Sequence, residues 1–201
     1  MITRVPAADR KSRVTDRWAR VVSDVLSPAA VAVLVLVCYM AQGELTWEEA
    51  LAGAVCYVIT PAVALLGMAR RGGAQDIYDP TPGMRQWMLL VGTACYVLGY
   101  AVVAGLDLNP GLRWMGLTFS AGAAAVWGID RFWKISIHST GVGGGVVLLA
   151  DISPELWPVW GILPLAAGWA RWRRGAHNPL QLAAGTALGA MLAWLLRGYT
   201  H

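Results

Sequence analysis

The charged residues of this 201-residue chain fall in short clusters between long apolar runs, and that segregation limits the folds open to it. Only 14% of residues are charged and 57% are hydrophobic. A soluble domain spreads its ions over its surface; a chain that crosses a bilayer repeatedly keeps them outside the hydrocarbon. The expected fold class is therefore all-α, a polytopic transmembrane helical bundle. The basic residues sit at the ends of apolar segments, so lipid headgroups rather than nucleic acid are the expected partners.

Seven spans are expected, over 27–43, 47–69, 86–105, 110–128, 134–151, 154–170 and 179–197. Several start on recognisable caps. Thr46-Trp47-Glu48-Glu49 reads as a capping box. Ser27-Pro28, Asn109-Pro110, Ser153-Pro154 and Asn178-Pro179 each put an N-cap residue before a proline at the first helical position. The fifth and sixth spans are short. Residues 1–26 form a separate unit: Val14, Trp18, Val21, Val22 and Val25 recur at helical spacing with Arg13, Arg17 and Arg20 between them, which predicts an amphipathic helix along the membrane surface. Residues 27–201 form the transmembrane domain.

Seven crossings place fourteen of the sixteen basic residues on one side, with only Arg113 and Arg197 on the other. Acidic residues divide six and six, giving formal charges of +8 and −4. The positive side is expected to be cytoplasmic, with the N-terminus, at the cell membrane. Cys38, Cys56 and Cys95 lie inside apolar runs and lack metal-ligand spacing, so they read as small hydrophobes.

The chemistry gathers on the cationic face. His138 and His177 both lie there, each near basic residues, while His201 ends the chain. Arg171 precedes His177 by six positions, Asn178-Pro179 opens the last helix, and Gln181 follows four positions after the histidine. His177 is thus expected at a helix N-terminus, where free N–H groups favour an anion. Lys134-Ile135-Ser136-Ile137-His138 leads into Gly141-Val142-Gly143-Gly144-Gly145, glycines of the kind that let membrane helices pack closely.

With these residues in place, the chain resembles the type 2 phosphatidic acid phosphatase superfamily, over about residues 70–197. The family's third motif is Ser-Arg, five residues, His, three residues, Asp; here Ala170-Arg171, His177 and Gln181 keep the spacing with two substitutions. The second motif is Pro-Ser-Gly-His, and Ile135-Ser136-Ile137-His138 keeps its serine and histidine. The first motif, Lys, six residues, Arg-Pro, is replaced by a loop holding Arg71 and Arg85.

The resemblance implies an integral-membrane hydrolase of a lipid phosphate or diphosphate, with an isoprenoid or glycerolipid tail, acting through a phosphohistidine. His177 is the implied nucleophile, His138 the acid for the leaving oxygen, and Gln181 stands where an aspartate orients the nucleophile. Arg171 with Arg71 or Arg85, and Ser136, are the implied phosphate ligands. Lys134 is a further candidate on position alone. No metal or other cofactor is expected, and a homo-oligomer is compatible with the pattern. Two other readings stand beside this one: a non-enzymatic member of the fold that binds or translocates a phospholipid, and Mg²⁺-dependent prenyl transfer through Asp76 and Asp79.

Overall fold

The computed structural model describes the backbone of residues 7–71 and 82–199, and the side chains of 15–71 and 83–199. Asp76, Asp79 and His201 lie outside the described residues. Within them the chain is helical, with no strand. Eight helices carry the fold: α1 (Ala7–Val25), α2 (Pro28–Ala41), α3 (Trp47–Arg71), α4 (Pro82–Gly105), α5 (Pro110–Ile129), α6 (Ile137–Ile152), α7 (Ile162–Arg173) and α8 (Pro179–Leu196).

The caps explain where these helices begin. Ser27 Oγ accepts from the Ala30 N–H at 3.3 Å, and Asn109 Oδ1 accepts from Gly111 N–H at 2.7 Å. Thr46 and Glu49 form the expected reciprocal box. Ser153 departs from expectation. It makes no side-chain cap, and its Oγ instead accepts from Gln42 Nε2 at 3.2 Å.

The span expected over 154–170 is not one helix. A 3₁₀ turn (Pro154–Leu156), a one-turn helix (Trp157–Trp160) and then α7 replace it. Pro154, Pro158 and Pro164 each remove a backbone donor, so an unbroken ladder cannot form there. With 12 residues, α7 is about 18 Å long, well short of a bilayer core. The helix expected from 134 begins instead at Ile137, because Ser136 Oγ takes the Ser139 N–H as a cap. Among the described residues three helices are long and apolar enough to cross a membrane, namely α3, residues 83–105 of α4, and α8 with its 3₁₀ extension. A fourth crossing follows if α1 and α2, bent by 52° at their junction, act together.

Within α3 the stretch Val55–Ile59 is π-helical. Pro61 follows it, and the wider turn accommodates the ring that a regular ladder would reject. The core is built on Tyr57, Leu112, Met115, Leu148 and Leu149, all fully buried. Around it, Val63, Leu98, Leu165 and Trp194 are each more than 60% exposed, an outward apolar surface suited to lipid.

At the centre is α6, which packs against α2, α5, α7 and α8. Its contact with α8 is backbone on backbone. A Cβ at Gly189 would overlap the Thr140 carbonyl, one at Gly143 the Thr186 carbonyl, and one at Gly185 would stand 2.7 Å from the Ser136 carbonyl. The amphipathic α1 lies against α7. Ala19 and Ser23 are buried there, and Arg174 reaches the Ser23 hydroxyl at 3.3 Å. Trp18, Val21 and Val25 face outward on the other side.

Candidate active site

One end of the bundle brings together the start of α4, the end of α5, the start of α6, the end of α7 and the start of α8. His138 is the second residue of α6, two positions after the Ser136 cap, and is buried. Arg171 lies in the last turn of α7 and is also buried.

The chain then reverses through a Schellman turn. Gly175 adopts φ 67°, its N–H donates to the Trp172 carbonyl at 2.9 Å, and Ala176 N–H donates to the Arg171 carbonyl at 3.1 Å. Only a residue without Cβ takes that conformation cheaply. The turn delivers His177 to the threshold of α8.

There Asn178 and Gln181 form a capping box. Gln181 N–H donates to Asn178 Oδ1 at 2.9 Å, and Asn178 N–H donates to Gln181 Oε1 at 3.0 Å. The second bond fixes the amide orientation, because a backbone N–H requires the oxygen and not the NH₂. His177 Nδ1 lies 3.3 Å from the same Oε1. Facing an acceptor, Nδ1 carries the proton, which leaves the lone pair on Nε2. Burial, then the charges of Arg171, Arg85 and Lys134, push the His177 pKa down to about 3, against a smaller upward pull from Gln181. The imidazole is neutral at pH 7.

His138 lies in the electrostatic field of Arg171, His177, Arg174 and Arg85. With Arg85 and Arg171 it lines one end of a cavity of about 250 Å³ that is otherwise mostly apolar. His177 is close to Arg171 but is not part of the cavity wall.

The other expected ligands divide. Arg85 is held by Asp130 through a bidentate pair at 2.8–3.0 Å, and its Nη2 also donates to the Ile135 carbonyl. Gln86 donates to the same carboxylate at 2.9 Å. Lys134 is exposed and lines a second, more open groove with Arg85, Asp130 and Arg131. Ser136 is fully buried and caps α6, its Oγ accepting from the Ser139 N–H at 3.2 Å and from Ser139 Oγ at 3.1 Å. Arg71 is exposed at the end of α3 and lines neither cavity.

Asp130 and a stripe along α4 complete the site beyond the residues expected from the sequence. Arg85, Met88, Leu89, Gly92, Thr93 and Tyr96 follow the i, i+3, i+4, i+7 rule, a periodicity that was open to inspection. Among the described residues no group of three or more His, Cys, Asp or Glu is placed to hold a metal. Neither protein-family models, nor characterised proteins, nor solved structures give a match to this chain.

Proposed function

We propose that this protein is a multi-pass membrane phosphatase of the type 2 phosphatidic acid phosphatase kind. In this reading it hydrolyses a lipid phosphate or diphosphate at the cytoplasmic face. The chain crosses the bilayer seven times, with the N-terminus inside, and its broken or short segments cross packed against α6 on one side and facing lipid on the other. The division of basic residues supports that orientation.

The observation that carries the reading is the unequal placement of the two histidines. In-line displacement at phosphorus needs nucleophile and leaving group on opposite sides of the phosphate. His138 lines the apolar cavity, where a lipid tail would leave, and His177 does not. Arg171 is near both and would neutralise the equatorial oxygens.

His177 Nε2 attacks phosphorus, the P–O bond to the lipid breaks, and His138, which takes up a proton from water once the phosphate dianion offsets the surrounding cations, gives it to the departing oxygen. Water then attacks the phosphohistidine, loses a proton to His138, and releases inorganic phosphate and a neutral His177. Gln181 Oε1 holds the Nδ1 proton throughout and steadies the ring without a full charge.

The bidentate hold of Asp130 on Arg85 favours a second reading, a lipid-binding or translocating protein without turnover. Phosphate release from a panel of lipid phosphates, by purified protein in nanodiscs with and without chelator, separates the two. Metal-independent release that disappears in His177→Ala supports hydrolysis. Undiminished release in that variant overturns the assignment, and no release from any lipid leaves the binding reading ahead. Strict Mg²⁺ dependence would instead favour prenyl transfer.

A further inference from the structure

The groove beside the cavity has a charge of its own. Asp130 follows the last residue of α5, and its carboxylate accepts from Arg85 Nε and Nη2 and from Gln86 Nε2. The Arg85–Asp130 pair works as a partition. Arg85 lines the apolar cavity on one side and the groove on the other, and none of His138, Arg171 and His177 lines the groove.

Two further cations, Arg131 and Lys134, line the groove and are exposed. Asp130 is committed to Arg85, which leaves these two uncompensated and the groove with a formal charge of +2. Neither has a hydrogen-bond or ion-pair partner among the described residues. Arg131 is nevertheless held in place. Its guanidinium lies over the Trp127 ring, 3.7 Å from the centroid, a contact that engages the face of the fork and leaves its N–H edge for an acceptor.

The rest of the wall is apolar, with Trp87, Leu90 and Trp127. From Leu90 the outward face of α4 continues through Ala94, Val97 and Leu98, exposed residues at i+4, i+7 and i+8. Phe132 and Trp133 stand exposed next to the cations, the mixture of aromatic and basic side chains found at headgroup level. A ligand that meets both halves is an amphiphile with an anionic head. Free phosphate would use the cations and leave the stripe bare. A zwitterionic head would bring an ammonium towards Arg131 and Lys134, and like charges repel.

We propose that this groove binds an anionic membrane phospholipid, its head between Arg131 and Lys134 and its tail along Leu90, Ala94 and Val97, across the Arg85–Asp130 partition from the cavity. The site holds whether or not the chain hydrolyses phosphate. Its occupant would be felt at the histidines, because Arg85 belongs to both walls and the charge of Lys134 reaches His177.

Photolabelling reads occupancy without turnover. The full chain is placed in phosphatidylcholine nanodiscs doped with phosphatidylglycerol that carries a photoactivatable acyl chain, and adducts are mapped by peptide. They should fall on α4 between Trp87 and Leu98. Unlabelled phosphatidylglycerol should displace them at least about tenfold better than phosphatidylethanolamine does. Arg131→Gln with Lys134→Gln should reduce them at least about tenfold. Arg17→Gln with Arg20→Gln removes the same charge from exposed positions on α1 and should leave them unchanged. An equal loss in both double variants would show a diffuse attraction of basic surface for anionic lipid and overturn the site. Adducts absent from that segment, or undiminished without Arg131 and Lys134, overturn it too. So does equal displacement by phosphatidylethanolamine. Inorganic phosphate displacing the label as well as phosphatidylglycerol does would mark a site for a soluble anion instead, and the lipid assignment would fall.

Discussion

The carbonyl oxygen of Gln181 lies 3.3 Å from Nδ1 of His177 and cannot be exchanged for the amide nitrogen, since it also accepts the Asn178 N–H. One side chain therefore caps α8 and sets the histidine tautomer. Gln181→Ala should remove both functions and lower turnover on the order of tenfold to a hundredfold, about 1.4–2.7 kcal/mol in the barrier. Gln181→Glu keeps the reach to both partners and adds a charge, so the His177 pKa should rise from about 3. Gln181→Asp is one methylene shorter and should hold the ring less well than Glu. Histidine-selective NMR titration of the three variants, with turnover measured alongside, checks the order.

His177 also carries a pH signature. Its folded pKa lies below the unfolded value near 6.5, so between pH 6.5 and about 3 the unfolded chain binds a proton that the folded one refuses. Stability should fall as pH drops through that window, by up to about 1.4 kcal/mol per unit, and the loss should level off below the folded pKa. Thermal inactivation at stepped pH, wild type against His177→Gln, isolates this contribution. A variant with the same acid sensitivity as wild type would show that the proton acts elsewhere.

Arg171 is 2% exposed at the polar end of the cavity. Arg171→Lys keeps a charge and loses the planar fork, and it should cost on the order of tenfold in kcat/KM. Arg171→Ala should cost a hundredfold to a thousandfold, roughly what removal of a preorganised donor costs elsewhere. Because the guanidinium holds the neighbouring imidazole down, the same alanine variant should let the His177 pKa rise. An unchanged titration would show that Arg171 does not act on His177.

The Arg85–Asp130 pair should behave as a buried ion pair, with side chains 12% and 5% exposed. Asp130→Ala leaves a desolvated guanidinium and should destabilise by roughly 3–5 kcal/mol. Arg85→Met with Asp130→Leu together should be milder than Asp130→Ala alone. Denaturation midpoints in detergent, arranged as a double-mutant cycle, read the coupling. Additive effects would place Arg85's energy outside the pair.

Glycines divide into those under contact and those in open space. Gly189→Ala drives a methyl into the Thr140 carbonyl and should destabilise by at least about 1–3 kcal/mol. Gly168→Ala in α7 meets nothing within 4 Å and should stabilise by up to about 1 kcal/mol. Melting temperatures of the two proteins should therefore move in opposite directions.

Local chemistry was the part most readable in the sequence. Ser27, Thr46, Asn109 and Asn178 all act as the caps their neighbours suggest, because a cap needs only four or five adjacent residues. The Arg171-to-His177 spacing was equally plain. Its meaning in space depends on the turn at Gly175, which satisfies carbonyls inside the same short segment. Non-local pairings were not readable. Nothing near Arg85 in the chain announces Asp130, 45 residues away, as its partner. The family motif marks Ser136 as a ligand, and the cap its oxygen makes to the Ser139 N–H is a second role that the motif does not announce. The break before α7 follows from three prolines in eleven residues, a local signal that the apolar run around them masks.

The seam between α6 and α8 sets a mechanical boundary condition. His138 leads one of these helices and His177 sits at the head of the other, and the two are joined by main chain against main chain at Gly143, Gly185 and Gly189. At Gly143 and Gly189 the nearest atoms across the seam are all main chain, so relative sliding of even one residue, about 1.5 Å, would force carbonyls together. The pair behaves as a fixed calliper. In the phosphatase reading, any breathing that admits a lipid therefore falls on the opposite wall, where α3 and α4 face the cavity through Leu65, Leu66 and Met88, side chains able to swing aside without moving either histidine.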